Sequence, residues 1–598
     1  MHTTTRQAKR TRNRNNILLA FALLLAITLS IAIPSLHAAT SGSAGTSVSQ
    51  AYDNSAVIIR MAQSNPLPTT VPAEANATAK VTTNGGLLIE KAGTYRLTGT
   101  VEGQITIEAD EDDDIVLVLD NLTALSAAGP ALNIVSANNV TIYLQPGTFN
   151  TLTDTTASDA AVLSKSDLII YGTGTMIVNG RSAHGLVSKD DLVISGGNIK
   201  VQAVGDGIKG KDSITVSNAV LEISAGGDGM QSYNEEDPAR GYINIINGDI
   251  SITAALDGIQ AHTMVQVMGG CVTVESGGGS SSRASSESTK GIKAENTILV
   301  EGGTISIAAS DDALHSNHSI IIKAGELSLS SGDDGIHAEN TLALTGGTIN
   351  ISKSYEAVEG SNIVISGGTI TMNSSDDGIN TVNKTTSGST AGFAQASRPG
   401  AGGGFEQSDG STFLMTGGTV YMNASGDGLD INGDGAMTGG TLIISGPTDN
   451  GNGAVDYNGS FKISGGTLVA AGSSGMAQAP GTGSTQSSVM LNFSSQIAGS
   501  VVVVKDSAGK VIMAFAPAKS FANLVISSPE FVAGETYTVI TGGTASNTLK
   551  LGLLTSDSYA LGTQTATSTA ALVAGSSGGF GQQPGKGAMP MGGARKTW

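Results

Sequence analysis

Along the middle of this chain an acidic residue, then Gly or Ala, then an aliphatic, recurs at a nearly constant interval. The occurrences are Asp206-Gly-Ile, Asp228-Gly-Met, Asp257-Gly-Ile, Lys290-Gly-Ile (the one non-acidic member), Asp312-Ala-Leu, Asp334-Gly-Ile, Glu356-Ala-Val, Asp377-Gly-Ile and Asp427-Gly-Leu. Five of the eight intervals are 21 or 22 residues, and the other three exceed this by 7, 11 and 28, as surface insertions into a fixed repeat would. Such a period belongs to a solenoid, in which each unit buries its apolar side only by stacking on its neighbours. A second punctuation lies between successive acids, at Gly302-Gly303-Thr304, Gly346-Gly347-Thr348, Gly367-Gly368-Thr369, Gly417-Gly418-Thr419, Gly439-Gly440-Thr441 and Gly465-Gly466-Thr467.

Two turns in so short a unit leave room only for strands. The segments between turns alternate with period two, as in Thr348-Ile-Asn-Ile and Ile363-Val-Ile-Ser. The expected fold is all-β: a right-handed parallel β-helix, a single-stranded solenoid of about 22 residues per coil, with coils about 4.8 Å apart. Ile208, Ile259, Ile292, Leu314, Ile336, Ile379 and Leu429 would form its core. Small residues two places on, such as Gly210, Ser232, Ala261, Ala294, Ser316 and Ala338, suit a narrow interior corner. The 81 glycines are periodic, which points to turns that need positive φ rather than to low complexity.

Residues 1–39 read as a signal peptide: Arg6, Lys9, Arg10, Arg12 and Arg14 precede an apolar run from Ile17 to Ile33, with Ala38-Ala39 following. The body is therefore expected to be extracellular or at the cell surface. Residues 40–76 read as a linker, 77–480 as the β-helix, 485–560 as a small C-terminal β cap, and 561–598 as a disordered tail. Lys384 to Ser411, rich in Gly, Ser and Ala, reads as a flexible loop inserted in one coil. The formal charge is −19, and losing the five basic residues of the leader takes it to −24, which argues against nucleic acid as a partner. Cys271, the only cysteine, sits where other repeats carry Thr304 or Thr348 and supports neither a disulfide nor a zinc site. A monomer is expected.

The chemistry lies in the acidic column. Three coils double the acid, as Asp311-Asp312, Asp333-Asp334 and Asp376-Asp377. Carboxylates stacked at coil spacing repel by roughly 1 kcal/mol in water and several-fold more at lower dielectric. Such a column needs cations, and calcium suits hard oxygen ligands outside the cell. Asp430-Ile-Asn432-Gly-Asp434-Gly435 matches the first half of a calcium loop, without the Glu at the twelfth position, which is Thr441. A structural reading stands beside this one: Asp-Gly is a favoured turn pair, and an Asp can cap the N–H groups of a corner. Three residues past the acid runs a second polar column, containing Lys209, Lys293, His315, His337 and Glu359, expected to point outward as candidate carbohydrate-binding groups or as a solvated face.

The run from Ala92-Gly-Thr-Tyr-Arg-Leu-Thr-Gly through Val116-Leu-Val-Leu-Asp-Asn, Gly207-Ile-Lys-Gly-Lys-Asp, Asp311-Asp-Ala-Leu-His, Ser331-Gly-Asp-Asp-Gly-Ile-His-Ala, Tyr355-Glu-Ala-Val-Glu-Gly and Asp376-Asp-Gly-Ile-Asn resembles a family of bacterial surface proteins. These are carbohydrate-binding parallel β-helix proteins, similar in fold to pectate lyases, which hold calcium and bind cellulose and pectic polysaccharide. The resemblance covers about residues 77 to 545. It implies calcium at Asp206, Asp228, Asp257, Asp311, Asp312, Asp333, Asp334, Asp376, Asp377 and Asp427, and binding of pectate and cellulose without catalysis. Cellulose is the weaker expectation, because flat glucan is gripped by aromatics and the chain has one Trp, at its end. Two other classes compete. A calcium-dependent lyase of acidic polysaccharide would need a base, for which Lys209, Lys211, Lys290 and Lys293 are placed; a hydrolase would need two or three carboxylates at one spot with His and Arg-x-Lys companions, and neither Gly-His-Gly nor Arg-Ile-Lys is present; a structural adhesin or coat protein would need only the stacked acids.

Overall fold

The computed structural model describes residues 71–384 and 408–545, apart from 73, 157 and 284–285, together with 553–554, 559–561 and 566–571. The leader, nearly all of the linker and most of the inserted loop lie outside the described residues. Every described element is a strand. Three strands make a coil, and each pairs in parallel with its counterpart one coil on. The first column is short: Leu186, Ile208, Met230, Ile259, Ile292, Leu314, Ile336, Val358, Ile379, Leu429 and Val455 are successive register partners. The second column runs through Ile298, Ile320, Leu342 and Ile363, and the third through Ile305, Leu327, Ile349 and Ile370.

Unbroken register follows from the period-two pattern, because a slip of one residue would turn every aliphatic outward. The aliphatics named above are all nearly inaccessible, and Ser232, Ala261, Ala294, Ser316 and Ala338 are fully buried at the narrow corner, as expected. Each buried Ile or Leu contributes roughly 1.5–3 kcal/mol. The extra residues in two of the long intervals leave the register intact: Met230–Ser232 still pairs with Ile259–Ala261, and that strand with Ile292–Ala294. Residues 385–407 of the third lie outside the described set, yet Val358–Ile365 pairs directly with Thr412–Met415 beyond them.

Both ends of the stack carry antiparallel strands. Lys80–Val81 pairs antiparallel with Leu87–Ile89, and at the other end Phe521–Ser527 pairs antiparallel with Ser460–Gly472 of the last coil and with Ser488–Gln496. A second small sheet joins Val502–Lys505, Val511–Phe515, Thr536–Thr541 and Ala566–Ala571. That last strand, Ala566–Ala571, lies inside residues 561–598, the segment expected to be a disordered tail.

The glycines divide into two classes, which corrects the expectation that all of them serve positive φ. The second glycine of the Gly-Gly-Thr corner does: Gly303, Gly347, Gly368, Gly418, Gly440 and Gly466 have φ between 80° and 87°. The glycines after the acids do not; they are needed for close approach instead. A Cβ on Gly258 would lie 2.2 Å from Val274 Cγ1 and 2.6 Å from the carbonyl of Gly291 in the next coil. Ala313 and Ala357 occupy equivalent positions, so a single methyl is accommodated by a small shift. Gly368→Ala is therefore expected to cost about 1–3 kcal/mol, through φ +86° and a Cβ 2.9 Å from the Gly346 carbonyl, whereas Gly335→Ala should cost less than half as much. Urea midpoints of the two variants measure the difference; equal losses would overturn this division.

Candidate functional site

The acid column occupies the corner just before the short strands. One oxygen of each aspartate of the column accepts the backbone N–H of the equivalent residue in the next coil, whereas Glu356 accepts from the Asn380 amide instead. Asp206 Oδ1 accepts from Asp228 (2.8 Å), Asp228 Oδ1 from Asp257 (3.0 Å), and Asp257 Oδ1 from Lys290 (2.7 Å). The pattern continues from Asp312 to Asp334 (3.0 Å), from Asp334 to Glu356 (3.2 Å), from Asp377 to Asp427 (2.6 Å) and from Asp427 to Gly453 (2.5 Å). Lys290 has no oxygen to offer, and here the doubled acid substitutes: Asp311 Oδ1 accepts the N–H of Asp312 at 3.0 Å. Asp333 and Asp376 have no such role; Asp333 is exposed, and Asp376 is half-buried and hydrogen-bonded to the Tyr355 hydroxyl.

The second oxygen of Asp206, Asp228, Asp312 and Asp334 meets the residue three positions on, so this polar column lies beside the acids and is not a solvated face. Asp206 Oδ2 pairs with Lys209 at 2.5 Å, Asp228 Oδ2 with Gln231 at 2.6 Å, and Asp312 Oδ2 with His315 at 2.7 Å. Lys293 lies 3.5 Å from Asp257 Oδ2. His315, His337 and Glu359 are buried rather than solvated. The five candidate carbohydrate ligands thus face the acids, neutralising them or, for Glu359, joining them. Lys290 turns its ammonium onto Asp311 (2.8 Å) and Asp312 (2.9 Å).

The electrostatics follow from this. Burial alone would raise the Asp312 carboxyl, but hydrogen bonds from His315 and His337 and the charge of Lys290 hold it well below the usual range. Burial would lower His337, yet Asp312, Asp334 and Glu359 push it up to about 10. Burial, with Glu359 and Asp334 adding repulsion, raises Glu356 to about 11, while its neighbour Glu359 is lowered despite burial by His337 and by the Glu356 hydrogen bond, so the pair holds one proton.

Towards the C-terminal end the surroundings change. Carboxylate oxygens of Asp377, Asp427 and Asp430 lie within 4.8 Å of one another. Burial first, then Asp427 and Asp376, raise Asp377 to about 7; burial, with Asp456 and Asp376, raises Asp427 to about 6; burial, with Asp377, Asp427 and Asp456, raises Asp430 to about 8. Asn432 and Asp434 do not complete a calcium loop here, because their chain is two consecutive strands, Leu429–Ile431 and Asp434–Ser445. Asn432 instead belongs to an amide ladder, donating to Asn380 (3.2 Å) and Asp430 (3.0 Å) and accepting from Asn458 (2.7 Å), while Asp434 accepts from Ser460.

Three participants were missed in the sequence. His184 precedes Asp206 by one coil, and its Nδ1 accepts the Asp206 N–H at 2.9 Å; His184-Gly-Leu is an undetected member of the repeat, carrying a non-acidic residue. Asp456 is the register partner of Asp430. Arg240, at the end of the first insertion, returns to an acidic corner further round the coil, 3.0 Å from Asp191 and 2.9 Å from Asp212. No sequence spacing relates it to those acids.

These features define a parallel solenoid with a charged ladder along one corner. The family described as carbohydrate-binding domain-containing protein matches residues 83–335. A protein of that description from Acetivibrio thermocellus is 36% identical over 228 residues, which span 36% of this chain and 76% of that protein. The chain belongs to this family of carbohydrate-binding domain-containing proteins. It is also similar to a solved structure, a gadolinium derivative of the polysaccharide lyase-like protein from C. thermocellum, with 32% identity, a TM-score of 0.34, and coverage of 37% of this chain and 89% of that one.

The raised carboxyls predict a pH dependence. Asp228, lifted to about 7 by burial and by Asp257 and Asp206, behaves like Asp377, Asp427 and Asp430, each with an ordinary value of 3.8. The folded chain then holds more protons than the unfolded one, so this contribution to stability is complete in acid and is lost as pH rises through about 6 to about 8. In chelator, the melting temperature is expected to fall as pH rises from about 4 to about 8. A flat or rising profile would contradict the crowding of charge described above.

Proposed function

We propose that this protein is an exported, non-catalytic binder of acidic plant cell-wall polysaccharide, which it grips through calcium on the acid ladder. Pectate is the first ligand and cellulose the second, and the protein acts as a monomer outside the cell. The observation that carries this reading is the all-oxygen group of Asp377, Asp427 and Asp430, where the neighbouring charges that act on each carboxyl are themselves carboxylates. Its donor set fits calcium, which takes six to eight hard oxygen ligands. Three carboxylates leave several of those positions to uronate oxygens, and calcium there would supply the positive charge that a chain at −19 otherwise lacks for a polyanion. The ten ladder acids expected as ligands are not equivalent in this respect, since Asp206, Asp257, Asp311 and Asp312 already meet lysine ammonium groups.

The same ion pairs weigh against a lyase. Burial would lower Lys290, but Asp312 and Asp311 hold it above its ordinary value, so it is a poor base; Lys209 is paired with Asp206 at 2.5 Å and Lys211 with Glu236 at 3.1 Å. The adhesin reading keeps one support, the N–H caps, which stiffen the coil stack without any ligand. The right-handed winding and the kinship with pectate-lyase-like β-helices belong to the same proposal.

The test is a binding panel of pectate, cellulose, xylan and alginate with calcium or chelator, with product analysis on the same samples. Pectate retention should require calcium and release no unsaturated or reducing sugar. Calcium should also raise stability, by about 2.7 kcal/mol at a hundredfold excess over Kd. Asp427→Asn with Asp430→Asn retains the capping oxygen of Asp427 while removing two charges, and should weaken pectate binding by roughly tenfold or more, about 1.4 kcal/mol. Retention in chelator, or equal retention by the double variant, would sink the calcium bridge.

A further inference from the structure

Two coils before the all-oxygen group the ladder has a different composition. Asp312, His315 and His337 present one oxygen and two nitrogens within 4.8 Å of one another, and all three residues are buried. We propose that they form a binding site for a borderline transition-metal ion of the zinc class, separate from the carboxylate cluster.

The orientation of the rings supports this. The far nitrogen of His315 meets an oxygen acceptor, Asn317 Oδ1 at 3.0 Å, while His337 Nε2 lies 3.2 Å from the Lys384 ammonium and 3.3 Å from Glu359 Oε1. A metal-bound histidine is held as His315 is, with the outer acceptor keeping the ring N–H, and the ion would displace the inner proton that each ring directs at Asp312. Both inner nitrogens face a single carboxylate oxygen, Asp312 Oδ2, at 2.7 Å from His315 Nδ1 and 3.7 Å from His337 Nδ1. Asp334 Oδ2 lies 3.3 Å from the same His337 nitrogen but stands outside the three-donor group, so the fourth position would fall to water.

With metal–ligand bonds near 2.0–2.1 Å, tetrahedral donors stand about 3.3–3.4 Å apart. The observed 2.7 Å and 3.7 Å bracket that separation, so side-chain movements of about half an ångström would open the site. The rings cross edge to face at 4.8 Å between centroids, which lets both nitrogens turn to one point. Lys290 would give up its 2.9 Å contact with Asp312 and keep its 2.8 Å contact with Asp311. Imidazole nitrogen selects zinc, nickel, copper or cobalt over calcium, so the ladder would discriminate between ions by position along its length.

The experiment uses the full untagged chain, stripped with chelator and titrated with zinc in excess calcium, and separately with cobalt(II) as a visible-absorbing probe. One zinc should bind, and cobalt should give the visible band of a low-symmetry nitrogen and oxygen site. His315→Gln and His337→Gln should each abolish that band, and Asn317→Ala should weaken zinc binding roughly 10- to 100-fold. Asp427→Asn should leave zinc uptake unchanged, which separates this site from the calcium site. The wild-type chain is itself decisive, so a variant that misfolds by circular dichroism does not blunt the test. Failure of the wild type to bind zinc, or equal uptake by folded His→Gln variants, would overturn the proposal.

Discussion

The hydrogen bond that an aspartate oxygen accepts from the N–H of the equivalent residue one coil further on is the interaction around which the corner is organised. At this corner the chain leaves the third strand column for the short one, and the donors are satisfied by side chains as well as by main-chain carbonyls. An aspartate suits the position because its oxygen reaches the next coil without a rotamer-rich stem, and the residue after it must be small so that the coils can approach. The solenoid therefore stacks charge upon charge as a condition of satisfying its backbone.

That geometry leaves an electrostatic cost, which the chain offsets differently along its length. From Asp206 to Glu359 the second oxygens face Lys209, Lys290, Lys293, His315, His337 and Lys384. From Asp377 to Asp430 the neighbouring charges are acids, and the carboxyls hold their protons to higher pH. The column thus passes from a stretch in which most acids meet cationic side chains, Asp228 and Glu356 excepted, to one in which they meet chiefly one another.

Much of the fold was legible in the sequence because periodicity reports directly on a one-dimensional stack. Ile208, Leu314 and Leu429 were identified as core residues from spacing alone, and register partners fall where the tokens align. The site was less legible. His315 and His337 were recognised as neighbours but read as outward, since sequence gives the face of a strand and not the hydrogen bond that folds a side chain back onto its corner. His184 was missed because its position carries no acid. Arg240 was beyond reach: its insertion returns to acids 28 and 49 residues earlier, Asp212 and Asp191, a closure that no local pattern encodes. Gly258 and Gly368 look alike in sequence, and only the backbone separates a contact requirement from a dihedral one.

The antiparallel strands at the two ends bear on how this molecule behaves in company. A stack of parallel, in-register strands is a template that an identical stack could extend indefinitely, as in a fibril. Lys80–Val81 and Phe521–Ser527 reverse the chain direction at each terminus of the stack. An incoming parallel strand finds the backbone groups of those edges already taken in the wrong sense. At those two strands the reversal denies a second copy the parallel pairing that joins one coil to the next, while Gly93–Glu102 and Val455–Tyr457 have no antiparallel partner among the described strands.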